Sequence, residues 1–336
     1  MSFYTSLTGL NSATSQLAVT SNNIANSGTT AFKRSRADFG DIFSTSPLQK
    51  SSAQIGQGVL LKGVNQEFSQ GNISTSGNSL DLAITGDGFF PLKTADGGKL
   101  HQAMACGAFA EKVVVDQSQV VKIPEEMAMD TASLLSCGVI TGVGAVVNAA
   151  GLRAGQDVVV IGAGGVGLNA IQGARIAGAR RIVAVDMSED KLDTAIEFGA
   201  TDGVLGTGDK PWQAAKAAMG RGADAVIVTV GAIPAYDQAP RYLAGGGRVI
   251  MVGMPHSGAE STYEPVNFAA AGQGMIGSKM GDTVIRRDIP WMIDLYAQGR
   301  LKLDELISNR WTLDQINEAI ADTMTGGARR NVIVFS

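Results

Sequence analysis

The sequence predicts an α/β protein: a doubly wound parallel sheet over about residues 150–300, preceded by a helix and a β-rich segment. Three observations predict it. A β-branched run, 157–161, leads straight into a glycine-rich turn. Apolar strand-like and amphipathic helix-like segments alternate from there to about residue 279. The composition also breaks near residue 100: residues 1–100 hold 15 Ser and 10 Thr but none of the 2 Cys, 2 His or 3 Trp.

Over its 336 residues the chain is 45% hydrophobic and 17% charged, which excludes a disordered chain. A net charge of −4 leaves no basic footprint, so neither nucleic acid nor an anionic membrane is an expected partner. Two Cys cannot build a disulfide framework. The first ten residues lack a basic stretch leading into an apolar one, so no secretory signal is expected. The 21 uncharged residues 132–152 are long enough to span a bilayer, but they include Ser133, Ser136, Asn148 and four Gly. A buried helix pair leading into the sheet is expected there, not a membrane span.

Taking the elements in order, Leu7, Leu10, Ala13, Leu17 and Ile24 form one apolar stripe on a helix over 3–25, whose other face is Ser, Thr, Asn and Gln. Such a narrow seam cannot bury itself and seeks a partner helix; docking on its own domain is the alternative. Asn26 and Gly28 accept left-handed backbone and end the helix. Residues 71–90 read as a turn, an alternating strand and a second glycine-rich turn. The run 21–26 with Phe32-Lys33, then Ala37-Asp38-Phe39, then LDLAITGDGFF at 80–90, resembles the N-terminal part of bacterial flagellar hook and rod proteins, most closely the hook protein. That resemblance implies export through the flagellar apparatus, assembly with hook subunits and pairing of this helix with a C-terminal helix. The chain instead closes on residues 329–336, which read as a strand, after a helix over 313–324.

The turn after residue 161 is Gly162-Ala163-Gly164-Gly165-Val166-Gly167, followed by a helix over 168–177 and a strand over 181–186. Asp186 ends that strand 19 residues after Gly167. This context makes G-x-G-x-x-G specific for a dinucleotide. Gly162 permits the tight turn, Gly164 lets the backbone approach a pyrophosphate, and Gly167 lets helix and strand close up. The helix N-terminus offers N–H groups to phosphate. Asp186 accepts from the adenosine ribose and repels a 2′-phosphate, which favours NAD over NADP. Further strands are expected around Val204 and over 225–230, 248–253 and 275–279, with helices over 212–219 and 236–243. Val230-Gly231 and Val252-Gly253, at carboxyl ends of strands, are candidates for the nicotinamide side; plain turns are the alternative there.

Residues 107–111, 134–145, the glycine loop with VDMSEDK, then 287–290, Leu303-Asp304 and 316–319 resemble medium-chain zinc-dependent alcohol dehydrogenases, in particular the glutathione-dependent formaldehyde dehydrogenase branch. The resemblance implies a Rossmann domain, NAD(H) and an alcohol or aldehyde as partners, and Lys191 of the VDMSEDK run among the cofactor contacts; a homo-oligomer or hook subunits are the alternatives for a protein partner. It also implies a catalytic zinc with three protein ligands. Cys137 matches the third ligand, and the first two have no counterpart in residues 1–100. The zinc site is therefore not expected to form, and Cys137 without its partners is expected to behave as a buried small hydrophobe. Cys106, His101 and His256 are expected to be packed or solvated residues, and nothing singles out Glu111, Ser136 or Thr141 as a substitute catalyst.

The expected organisation is a hook-like segment over 1–100, a remnant of a GroES-like β-barrel over 101–148, the NAD-binding domain over 149–300, and a return to the barrel remnant over 301–336. The stretches 109–115, 120–123 and 332–335 are read as orphaned strands of that barrel. The favoured reading is a chimaera lacking full zinc-dependent catalysis. A structural flagellar subunit and a zinc-independent NAD-dependent oxidoreductase are the alternatives. Location in the cytoplasm follows from the dehydrogenase part, and in the flagellum from the hook part.

Overall fold

The computed structural model describes residues 3–29, 32–41, 58–67, 69, 109, 113 and 115–335. The expectations placed on 71–90 and on His101, Cys106 and Glu111 lie outside the described residues, as does most of the strand read at 109–115. The chain divides into two compact units, Met1–His101 and Gln102–Ser336.

In the first unit, α1 (Phe3–Ala25) covers the full span of the apolar stripe. It is followed by an antiparallel pair, β1 (Ser35–Asp41) and β2 (Val59–Gln66). Asn23 ties helix to strand twice: its amide donates to the Ser35 carbonyl (2.7 Å) and its oxygen accepts the Ser35 N–H (2.8 Å). Thr8 accepts the Val59 N–H at 3.3 Å. Ala37 is the one described residue of this unit that is buried. Leu10, Leu17 and Ile24 are 65–68% exposed, so the stripe faces away from the strands that hold the helix.

The second unit opens with two short, bent helical pieces. α2 (Met129–Ser133) passes through a 3-10 turn, and α3 (Gly138–Gly144) continues as a π-helical stretch, Ala145–Ala149. By length and composition this pair could cross a membrane, while no single described helix could. Its Val139, Ile140, Val143, Ala145 and Val146 are buried in the main core, which agrees with the expected helix pair.

Then follow β3 (Asp157–Ile161), α4 (Gly165–Ile176), β4 (Arg181–Asp186), α5 (Glu189–Glu197), β5 (Asp202–Leu205), α6 (Pro211–Met219), β6 (Ala223–Val228), α7 (Ile233–Gln238), β7 (Leu243–Met251), α8 (Pro265–Ala271) and β8 (Gly274–Gly277). The six strands are parallel in the order β5-β4-β3-β6-β7-β8. This is the doubly wound arrangement, with its crevice where the order reverses between β3 and β6. Strand period 2 explains the layers. Val158 and Val160 point into a core shared with α3 and α4, while Val159 and Ile161 point into one shared with α6 and α7. At the amino end of the sheet Asp157 is fully buried and accepts from Arg180 and Arg221, each at 2.6 Å.

The chain then runs through α9 (Ile285–Ala297), β9 (Ile307–Trp311), α10 (Ile316–Met324) and β10 (Arg330–Ile333). The turn before α9 holds Met280, Gly281 and Asp282 all at positive φ. A Cβ on Gly281 would run into the Ile140 carbonyl, so glycine lets the turn press on α3.

Several expectations need correction. The helix after the glycine loop starts at Gly165, not 168. The helix expected over 236–243 begins at Ile233 and tightens to 3-10 geometry by Tyr242, because Leu243 already belongs to β7. Residues 120–123 form no strand; they follow a 3-10 turn and pair with nothing among the described residues. The stretch 332–335 is not orphaned: β10 pairs in parallel with β9, which the sequence reading overlooked.

Candidate functional site

The glycine loop joins β3 to α4. Gly162 sits at φ +98°, a conformation that disfavours any side chain, and a Cβ there would meet the Val230 side chain and the Thr229 hydroxyl. Thr229 hydrogen-bonds the carbonyls of Ile161 (3.0 Å) and Gly162 (2.9 Å), fixing the turn. A Cβ on Gly167 would run into the Gly162 carbonyl, so α4 closes on the strand only with glycine there. Gly164 is different. It is the N-cap of α4, and a Cβ there would meet nothing within 4 Å. The protein leaves an open cradle beside the first N–H groups of a 12-residue helix.

Asp186 ends β4 alongside this loop. Its carboxylate accepts the Ala163 N–H at 2.7 Å and the Ser188 N–H at 3.1 Å. The same acid that ends the strand thus also braces the loop. Lys191 lies in the first turn of α5, half-buried, and a Cβ built on Gly326 would lie 3.9 Å from its Nζ. Across the crevice, Val230-Gly231 follows β6 and Val252-Gly253 follows β7. A Cβ on Gly253 would strike the Val230 backbone, and one on Gly231 would come within 2.5 Å of the Met254 carbonyl. The two turns therefore touch. Tyr236 of α7 donates to the Gly253 carbonyl, and burial pushes its hydroxyl pKa up.

Arg330, at the start of β10, is a residue the sequence reading missed. A Cβ on Gly138 would run into its guanidinium, and one on Gly165 would lie 3.1 Å from its Nε. It is half-buried and forms no ion pair among the described residues. A cation with no acid of its own, set against the N-terminal turn of α4, is suited to an anion. Its position depends on the β9–β10 pairing, so no local spacing announces it.

Cys137, the residue before α3, is not the buried small hydrophobe expected: it precedes the helix, and its thiol is free and exposed. Ser136 donates to the Ser133 carbonyl, and Thr141 lies against the Met280 sulfur. His256 is an exposed loop residue whose ring contacts the Ser257 carbonyl. Among the described residues no three His, Cys, Asp or Glu side chains come together as metal ligands.

Residues 165–298 match the family model described as a zinc-binding dehydrogenase, and residues 3–33 match that of the flagella basal body rod protein. Alcohol dehydrogenase B of Mycobacterium tuberculosis is 34% identical over 256 residues, 74% of this chain and 67% of that one. The NDMA-dependent alcohol dehydrogenase of Amycolatopsis methanolica is 33% identical over 71% of this chain and 66% of its own length. The crystal structure of an alcohol dehydrogenase zinc-binding domain protein from Burkholderia ambifaria superposes with a TM-score of 0.68 at 31% identity, covering 73% of this chain and 66% of that one. The chain spans 63% of the length of putative alcohol dehydrogenase D of Mycobacterium tuberculosis, to which it is 35% identical.

Proposed function

The chain belongs to the zinc-binding alcohol dehydrogenase family, with an N-terminal segment matching flagellar rod proteins, and from that premise we propose that it is a nicotinamide-dinucleotide-binding, dehydrogenase-like fragment whose zinc chemistry is incomplete. The open cradle at Gly164 carries the reading, because it is the one loop glycine whose need the protein's own packing does not explain. A pyrophosphate there is met by the α4 N-terminus, through Gly164, Gly165, Val166 and Gly167, and by Arg330. Asp186 receives the adenosine ribose, with Lys191 nearby, and favours NAD. The nicotinamide side falls to Val230, Gly231, Val252 and Gly253. When bound, the cofactor supplies hydride transfer. The residues here bind and orient it.

The described residues do not fit a catalytic zinc. Such a site takes three protein ligands, and among the described residues Cys137 joins no group of three His, Cys, Asp or Glu side chains that could hold a metal. No step is assigned to a metal. The test is a titration of the full chain with NADH, alongside an alcohol-oxidation assay with added zinc. NADH binding without zinc-dependent turnover is expected. Zinc-dependent turnover would refute the incomplete site, and absence of NADH binding would refute the nucleotide reading.

A second reading concerns the first unit alone. The match at residues 3–33 and the exposed stripe on α1 favour a helix that pairs with a flagellar hook or rod subunit. Co-sedimentation of the chain with purified hook subunits tests it, and a chain that stays in the supernatant refutes it. The first reading places the protein in the cytoplasm, the second in the flagellum.

A further inference from the structure

The turn after β7 is held by a side chain that the nucleotide-binding reading leaves unused. Tyr236 is 5% exposed, and its hydroxyl donates to the carbonyl oxygen of Gly253, 17 residues further along the chain. The turn has little freedom otherwise, since Gly253 and the Met254 carbonyl lie in close contact with the turn at Val230-Gly231. Pro255 further restricts Met254 to extended backbone.

Peptide planarity carries the consequence one atom further. No peptide bond here is cis, so the Met254 N–H points opposite to the Gly253 carbonyl and away from α7. Tyr236 belongs to the core on one face of the sheet, with Val228 and Tyr242. The opposite face carries α3, through Val139, Ile140 and Val143, with Cys137 just before it. The Met254 N–H is thus directed away from the Tyr236 hydroxyl, at the turn that follows the carboxyl end of β7. It has no partner among the described residues.

We propose that Tyr236 is a positioning residue for the nicotinamide half of the dinucleotide. By pinning the Gly253 carbonyl, it holds the Met254 N–H as a fixed donor for the carboxamide oxygen of the nicotinamide ring. The inference rests on the dinucleotide reading of the glycine loop. The hydroxyl itself touches no cofactor. It removes a peptide rotation that would otherwise be lost on binding. Fixing the carboxamide fixes which face of the ring looks toward α3.

The experiment compares NADH with ADP-ribose, which keeps the pyrophosphate and adenosine but lacks the nicotinamide. Tyr236→Phe keeps the aromatic ring and removes the hydroxyl. Met254→Pro removes the N–H at a residue whose side chain is 90% exposed, and serves if the first variant is poorly folded. Both variants are expected to weaken NADH by about tenfold, the scale of one hydrogen bond, and to leave ADP-ribose unchanged. The emission shift of bound NADH should shrink in parallel. Equal weakening of both compounds would make Tyr236 a merely structural residue and overturn the proposal. So would unchanged binding of both. Failure of the unaltered chain to bind ADP-ribose would instead strike the dinucleotide reading itself, a result distinct from a loss confined to the variants.

Discussion

Two helices, one in each unit, show how differently the units are held. α1 runs for 23 residues with no buried side chain among those described, whereas eight of the 12 residues of α4 are buried. α1 is anchored by polar ties, from Asn23 to Ser35 and from Thr8 to Val59. α4 is packed into the main core through Leu168, Ala170, Ile171 and Ala174. Its buried Gln172 exchanges two hydrogen bonds with the Lys302 backbone. Intrinsic propensity contributes little to a helix in a protein, and packing of its apolar face contributes most. A regular apolar spacing therefore predicts a helix well and its stability poorly.

The contrast can be broken, or sharpened, by mutation. The largest effect is expected from Gly167→Ala, whose new Cβ runs into the Gly162 carbonyl. It should abolish NADH binding and unfold the second unit, as read by calorimetry and dye titration. Ile171→Ala, at a site with 0% exposure, should cost about 2–5 kcal/mol in denaturant unfolding. A cost below about 0.5 kcal/mol there would mean that α4 is no better packed than α1.

Arg330→Ala should raise the NADH dissociation constant by about tenfold to a hundredfold, the loss of a charge-assisted bond, while leaving the melting temperature near its original value. A fall in melting temperature without a change in affinity would make Arg330 a packing residue.

Acid is the next probe of the second unit. Burial alone would raise the Asp288 carboxyl, but Arg287, the Val284 N–H and Asn148 outweigh it and hold its pKa below the usual aspartate value. A pKa lowered in the folded state contributes stability above the unfolded value, and that stability is lost as pH falls through the folded one. The second unit should therefore lose stability as pH drops below about 4, and Asp288→Asn should flatten that slope. An unchanged slope would remove Asp288 from the account. The smallest effect belongs to α1: Leu17→Ala should change stability by no more than about 0.5 kcal/mol. A larger loss would show the stripe to be covered in solution.

What the sequence made legible follows the range of the interactions concerned. α1, β3, β4 and the glycine loop declare themselves through local period and turn chemistry, and their bounds match or nearly match. The run Val120–Ile123 has β-branched residues yet forms no strand, because a strand exists only with a partner. Residues 329–336 read as a strand from their own composition, but the pairing of β10 with β9 depends on residues some twenty positions earlier. Arg330 was invisible for the same reason. The bond from the Tyr236 hydroxyl to the Gly253 carbonyl spans 17 residues, so no local spacing announces it either.

The order of strands also sets a sequence of events in time. β3 lies at the centre of the sheet, yet its second neighbour, β6, is far along the chain; the bond from the Asp157 N–H to Asp224 spans 67 residues. Half of the sheet can zip from β3 through β4 to β5 by short crossovers, while the other edge of β3 must wait for a distant segment. Closing so long a loop is slow, and until it closes an apolar strand edge stays open to other chains. Aggregation during refolding should therefore rise with protein concentration and fall once the segment carrying β6 is engaged.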